Sequence, residues 1–127
     1  MTLVQSAAGE IFDQMLRIGP GDVLLAIGFP RYSKLTMSAV HFARDRGAEV
    51  IAITDSKMSP LYTLSVASLL VHCEMISFVD SMAAPVSLLN ALIVAVGKQK
   101  SAETAETFAE MERVWSRYEI FGYEDDE

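Results

Sequence analysis

The sequence predicts an α/β fold built on a parallel sheet, and three observations carry that prediction. The run Val23-Leu24-Leu25-Ala26-Ile27 has the apolar, β-branched character of a buried strand, and it gives way to Gly28, Phe29 and Pro30 where a helical period begins. A second such strand, Glu49-Val50-Ile51-Ala52-Ile53-Thr54, follows one helix later and ends in the polar pair Asp55-Ser56. Gly47 stands between that helix and strand, where a helix C-terminus favours glycine. Strand, loop, helix and strand make a crossover unit, so both strand ends open on one crevice. Ligands of such sheets sit beyond the carboxyl ends of the strands, where loop amides and a helix N-terminus can hold an anion.

Taken in order, the chain begins with an amphipathic helix over 3–17. Leu3, Ala7, Ile11, Met15 and Ile18 form its apolar stripe, and Gly19-Pro20-Gly21 stops it. The first strand is expected over 23–29. The second helix is expected over 33–46, with Leu35, Ala39, Phe42 and Ala43 facing the core. Ser59-Pro60 reads as the N-cap and first residue of a short helix reaching about Ser65, because the serine oxygen can accept an orphan amide and proline has none to leave unpaired. A third strand is expected over 68–72. A long helix from Met75 to Gly97, apolar on every side, should be buried on more than one side, which points to contact with another subunit. The last helix, 102–118, carries Phe108, Met111, Trp115 and Tyr118 at spacings of three, four and three, with Glu103, Glu106 and Glu110 toward its N-terminal end. The acidic end over 119–127 is expected to fray.

The bulk numbers narrow the possibilities. A chain of 127 residues with 51% hydrophobic residues and mean hydropathy +0.28 suits one folded domain. Seventeen acidic against ten basic residues give a net charge of −7, which excludes a general nucleic-acid binder. The one cysteine, Cys73, can form no internal disulfide and is expected to be a buried thiol, which suits the cytoplasm. The N-terminus lacks the pattern of a signal peptide, and the stretch over 82–96 is too short and too interrupted to span a membrane. No His, Cys or acidic cluster has metal-ligand spacing, and no cofactor motif is present.

In its order of motifs the chain resembles the sugar isomerase (SIS) domain, and more narrowly the effector domain of RpiR-type transcription regulators. The matching text is Gly19-Pro20-Gly21-Asp22-Val23-Leu24-Leu25-Ala26-Ile27, Phe29-Pro30-Arg31-Tyr32-Ser33, the run from Gly47 to Ser56, Ser59-Pro60-Leu61, and Glu74 with Ser77-Phe78-Val79-Asp80-Ser81. The resemblance implies a three-layer αβα sandwich with a parallel sheet, here a C-terminal portion with about three strands and five helices. It also implies binding of a sugar phosphate, by enzymes in some members and by sensors joined to a helix-turn-helix domain in others. Two departures stand out. The family's phosphate loop reads Ser-x-Ser-Gly-x-Thr or Ser, whereas Gly28-Phe29-Pro30-Arg31-Tyr32-Ser33 keeps only the last hydroxyl. The family's earlier strand with its glycine- and serine-rich loop, and the regulator's DNA-binding domain, have no counterpart in this text. That leaves the apolar first strand at an open edge, where an unpaired strand invites another chain.

The candidate ligand residues are Gly28, Arg31, Tyr32, Ser33, Thr54, Asp55, Ser56, Ser59 and Glu74. Arg31 could fork onto a phosphate or be a plain loop arginine. Ser33 could bind the anion or cap its helix, and the two roles compete for one hydroxyl. Tyr32 could stack on a sugar or cover the loop. Thr54, Asp55 and Ser56 could take sugar hydroxyls or close an Asx-turn. Glu74 is the residue that could act as a base if the chain were an isomerase. The expected function is therefore a sugar-phosphate or related carbohydrate sensor for an RpiR-type regulator. It would work as a dimer or higher homo-oligomer, touch DNA only through a separate N-terminal domain, have no membrane partner, and perform no catalysis. The alternatives are a phosphosugar isomerase and a dimerising remnant that binds nothing.

Overall fold

The computed structural model describes residues 2–4, 10–73 and 81–118. Among these, five helices and three strands alternate: α1 (Glu10–Gln14), β1 (Val23–Ile27), α2 (Lys34–Asp45), β2 (Glu49–Thr54), α3 (Pro60–Leu64), β3 (Ala67–Leu70), α4 (Ala83–Gln99) and α5 (Ser101–Arg117). The strands form one parallel sheet in the order β1-β2-β3, with Leu25 beside Ile51 and Ile53 beside Leu69. The expected α/β class and parallel sheet are thus present, and β1 lies at an edge of the described sheet.

The chain divides into two compact units, 1–86 and 87–127. In the first, one face of the sheet presents Leu24 and Ala26 of β1 with Val50 and Ala52 of β2, and these pack with Val40 of α2 and Leu61 of α3. The register explains the set, since residues two apart on a strand share a face. A neighbouring cluster joins Ile11 and Met15 to Ala39, Ala43 and Ala48. Phe12 meets Phe42 edge-on at 5.5 Å, and the Arg46 guanidinium lies 5.1 Å above the Phe42 ring, so the ends of α1 and α2 are joined by aromatic contacts.

The punctuation works as its chemistry requires. Gly47 adopts φ +84°, a left-handed conformation that glycine takes without penalty, immediately after α2. Ser59 Oγ accepts from Leu61 N at 3.2 Å, and Pro60 opens α3. Asp22 accepts from Gly19 N at 3.0 Å and closes the turn before β1.

Two expectations are corrected, the bounds of the long helix and the burial of Cys73. Within the described residues α4 begins at Ala83 rather than Met75, with 75–80 lying outside them, and it runs two residues past Gly97, whose lack of a side chain weakens a helix without ending it. In the single chain Pro85 is the one fully buried residue of this helix, Leu88, Leu89 and Leu92 are half-buried, and Val86, Ile93, Val94 and Val96 are about half exposed. Its composition marks apolar faces but does not supply anything to cover them. The Cys73 thiol is half-buried rather than buried, and its Sγ lies 3.7 Å from Ser81 O. No helix among the described residues is long and apolar enough to cross a membrane.

Candidate functional site

The crevice at the carboxyl ends of β1 and β2 is built by two loops that meet. The first runs from Gly28 to Ser33 and turns through Arg31, which holds φ +72°, a left-handed conformation uncommon for a residue with a side chain. The second is Asp55-Ser56, just past β2. Tyr32 joins them, its hydroxyl donating to Asp55 Oδ1 at 2.5 Å. That bond holds the Asp55 carboxyl below its ordinary value of 3.8, with its own backbone amide and the Thr54 and Ser56 hydroxyls acting in the same sense against partial burial.

Beneath this bridge the polar groups are spent on one another. Thr54 and Ser59 are fully buried. The Thr54 hydroxyl donates to Ser59 Oγ at 2.7 Å and lies 3.2 Å from Asp55 Oδ1, and Ser59 caps α3. No buried side-chain nitrogen or oxygen among the described residues is left without a partner. The pair therefore fixes the floor of the crevice.

Above it lies a cavity of about 250 Å³ lined by Ile27, Gly28, Phe29, Tyr32, Ser33, Thr36, Met37, Leu61 and Met82. Gly28 is required by shape: a Cβ there would come 2.6 Å from Leu61 Cδ1, so glycine lets the loop lie against the α3 leucine. Ser33 occupies the N-cap position of α2 with extended backbone, yet its side chain makes no capping bond. Of its two competing roles, capping is the one the geometry leaves unfilled. The first-turn amides of α2, a twelve-residue helix, remain available to an anion.

Of the residues expected in the site, Gly28, Tyr32 and Ser33 line the cavity. Asp55 reaches it through Tyr32. Arg31 is exposed on the loop outside the lining, and Ser56 is half-buried beside Asp55. Thr54 and Ser59 lie below, and Glu74 falls outside the described residues. Sequence reading missed Thr36, although it stands three residues after Ser33, the spacing that puts two side chains on one face of a helix. Met37, Leu61 and Met82 are lining residues with no sequence signal beyond being apolar. Among the described residues no group of three or more His, Cys, Asp or Glu side chains is placed to hold a metal ion.

The SIS domain family model matches residues 1–95. In three dimensions the chain resembles a solved structure, the sugar isomerase domain of an RpiR transcription factor from Sphaerobacter thermophilus, with a TM-score of 0.80 over 88% of this chain. The two are 20% identical, a likeness of fold, and this chain spans 63% of the length of that one. No curated protein matches the sequence.

Proposed function

The chain belongs to the SIS-domain family, and from that premise we propose that it is a carbohydrate-sensing module of an RpiR-type transcription regulator, taking a sugar phosphate or related derivative in the β1–β2 crevice. The observation that carries this reading is the Ser33 hydroxyl, which opens a twelve-residue helix, lines the cavity beside Thr36, and is not spent on capping. A phosphate would dock there on the first-turn amides of α2, with the Arg31 guanidinium at the rim supplying charge. Asp55 and Ser56 would take sugar hydroxyls at the second loop, with Glu74 as a further contact, while Thr54 and Ser59 hold that loop from below. The cavity is at the small end of ligand sites, which suits a ligand of this size.

Binding without turnover is the reading favoured by the lining. Among the described residues its polar members, Tyr32, Ser33 and Thr36, are hydroxyls, and the Asp55 carboxyl beside it is held below its ordinary value by Tyr32, whereas moving a proton between sugar carbons needs a positioned acid and base near neutral pKa. Signal output would follow if the ligand bound two arrangements of a homo-oligomer unequally. DNA contact would belong to a separate helix-turn-helix domain, since this chain carries a net charge of −7.

Thermal unfolding in the presence of aldose and ketose phosphates, and of inorganic phosphate alone, tests the proposal. A ligand at about 100 times its dissociation constant stabilises by about 2.7 kcal/mol. The expected result is a raised unfolding temperature with at least one sugar phosphate, reduced in Ser33→Ala and in Arg31→Ala. No shift with any of them overturns the binding reading. Steady turnover in a coupled assay, abolished in Glu74→Gln, replaces the sensor with an isomerase.

A further inference from the structure

Tyr32 stands between the cavity and the second loop. Its side chain belongs to the cavity lining, yet its hydroxyl donates to Asp55 Oδ1 at 2.5 Å, and Thr54, Asp55 and Ser56 lie outside that lining. The other acceptor positions of the carboxylate are served from close by. The Thr54 hydroxyl lies 3.2 Å from the same oxygen, and the Asp55 amide and the Ser56 hydroxyl bond the carboxylate within the second loop itself. An ionised carboxylate has about four lone-pair positions. Tyr32, Thr54, Ser56 and the amide serve them here, so a further donor must displace one of these.

Of these four, Tyr32 is the one that can leave. Thr54 is fully buried at the end of β2, and Ser56 and the Asp55 amide are held by their place in the chain. Tyr32 comes from the other loop, 23 residues away in sequence, and is half-buried. It also follows Arg31, whose φ of +72° is a conformation that a residue with a side chain keeps only where its surroundings impose it. Opening the bridge lets that backbone relax and the ring swing away from the second loop.

We infer that the Tyr32–Asp55 bond is a latch on the crevice, which a ligand opens by putting a hydroxyl of its own in the place of the tyrosine's.

Resting on the sugar-phosphate reading, the latch adds to it a means of choosing among phosphates. Inorganic phosphate at Ser33 and the first turn of α2 occupies one end of the crevice and leaves the latch shut. A sugar phosphate that spans to the second loop meets Asp55 already occupied. What the bond adds to the stability of the empty chain it therefore takes from affinity for such a ligand, because the closed form must be left before Asp55 can be reached. The two ends of the bond act on binding in opposite directions. Removing the tyrosine hydroxyl removes the ligand's competitor, whereas removing the carboxylate removes the ligand's partner. A bond that merely stiffened the loops would act in one direction from either end.

Two measurements on the full chain test the latch. In isothermal titration with aldose and ketose phosphates, Tyr32→Phe is expected to bind at least one of them about fivefold more tightly than the unaltered chain, the factor that one net hydrogen bond represents. Inorganic phosphate should bind both chains equally, and Asp55→Ala should bind the same sugar phosphate more weakly. In urea unfolding without ligand, the loss in the Tyr32→Phe, Asp55→Ala double variant should fall short of the sum of the two single losses, since either change alone already breaks the bond. Phenylalanine keeps the ring, so stacking and packing persist while the donor is lost. A sugar phosphate bound equally or more weakly by Tyr32→Phe overturns the latch and leaves the sugar-phosphate reading standing, and so does an equal gain for inorganic phosphate. Additive stability losses overturn the latch whatever binds. No binding of any sugar phosphate to either chain overturns the latch and the reading together.

Discussion

The two units of this chain contrast in how sequence pattern and burial relate. Up to residue 86 they agree at the centre of the fold. Ala39 and Ala43 of α2 and Val50, Ala52 and Ile53 of β2 are buried, where helical and strand periodicity place them, and Val40 and Leu61 join them, whereas Val23 and Ile27 at the two ends of the apolar β1 are exposed. Beyond residue 86 they part. The stretch richest in apolar side chains, α4, has no fully buried residue after Pro85, with Leu88, Leu89 and Leu92 half-buried, and α5 has none among the described residues. A periodic pattern says which face avoids water and is silent on what will cover it. In the first unit the crossover connection brings the cover, since α2 must lie on the sheet for β2 to run parallel to β1. The helices of the second unit have no such obligation.

Truncating Leu61 should expose that contrast most strongly. It is fully buried and touches both the sheet core and the loop glycine Gly28. Leu61→Ala is expected to cost about 3 kcal/mol, the middle of the range for buried leucines, measured as the fall in unfolding free energy in urea. Gly28→Ala should cost about 2 kcal/mol by pressing a methyl group into Leu61. The double variant removes the methyl group that Gly28→Ala strikes, so its cost should fall short of the sum of the two. Simple additivity would mean that the loop is not seated on Leu61.

Ser59→Ala comes next. It removes the cap of α3 and deprives the buried Thr54 hydroxyl of its nearest partner, for an expected loss of about 1.5 kcal/mol. Ser59→Thr keeps the oxygen and should recover most of it. Equal losses in the two variants would assign the effect to packing rather than to the hydroxyl.

How far the sequence could be read follows from the range of each interaction. The extent of β2, the Ser59 cap and the Gly47 turn were legible because each is decided within a few residues. Gly28, Tyr32 and Ser33 were legible as crevice residues because strand ends and helix starts are local marks. The Tyr32–Asp55 bond was not, since it joins residues 23 apart and depends on how closely two loops approach. The buried pairing of Thr54 with Ser59 was hidden for the same reason: hydroxyls at a strand end look alike whether they face a ligand or one another. Met82 gave no mark at all, because an apolar residue between elements can face anything.

The Tyr32–Asp55 bridge predicts a smaller and pH-dependent effect. Tyr32→Phe keeps the ring and removes the donor, for an expected loss of about 1 kcal/mol at neutral pH. The sign of the pH effect follows from the direction of the shift. Folding holds the Asp55 carboxyl below its ordinary 3.8, so the bridge contributes fully above that value and is lost as the pH falls through the lower folded one. The stability difference between Tyr32→Phe and the unaltered chain should therefore be constant near neutrality and shrink in acid. A difference that grows on acidification would contradict the bridge.

The smallest effect should come from Phe108→Ala, and it carries the comparison back to the second unit. In a folded core the loss of a phenylalanine side chain costs about 3–5 kcal/mol. Phe108 is more than half exposed, so its removal should change the unfolding free energy by less than about 0.5 kcal/mol, with alanine's helix propensity offsetting part of the lost contact. Urea denaturation of the two proteins side by side measures the difference. A loss of core size would mean that Phe108 is covered in the folded chain and that the pattern on α5 marks a true inner face.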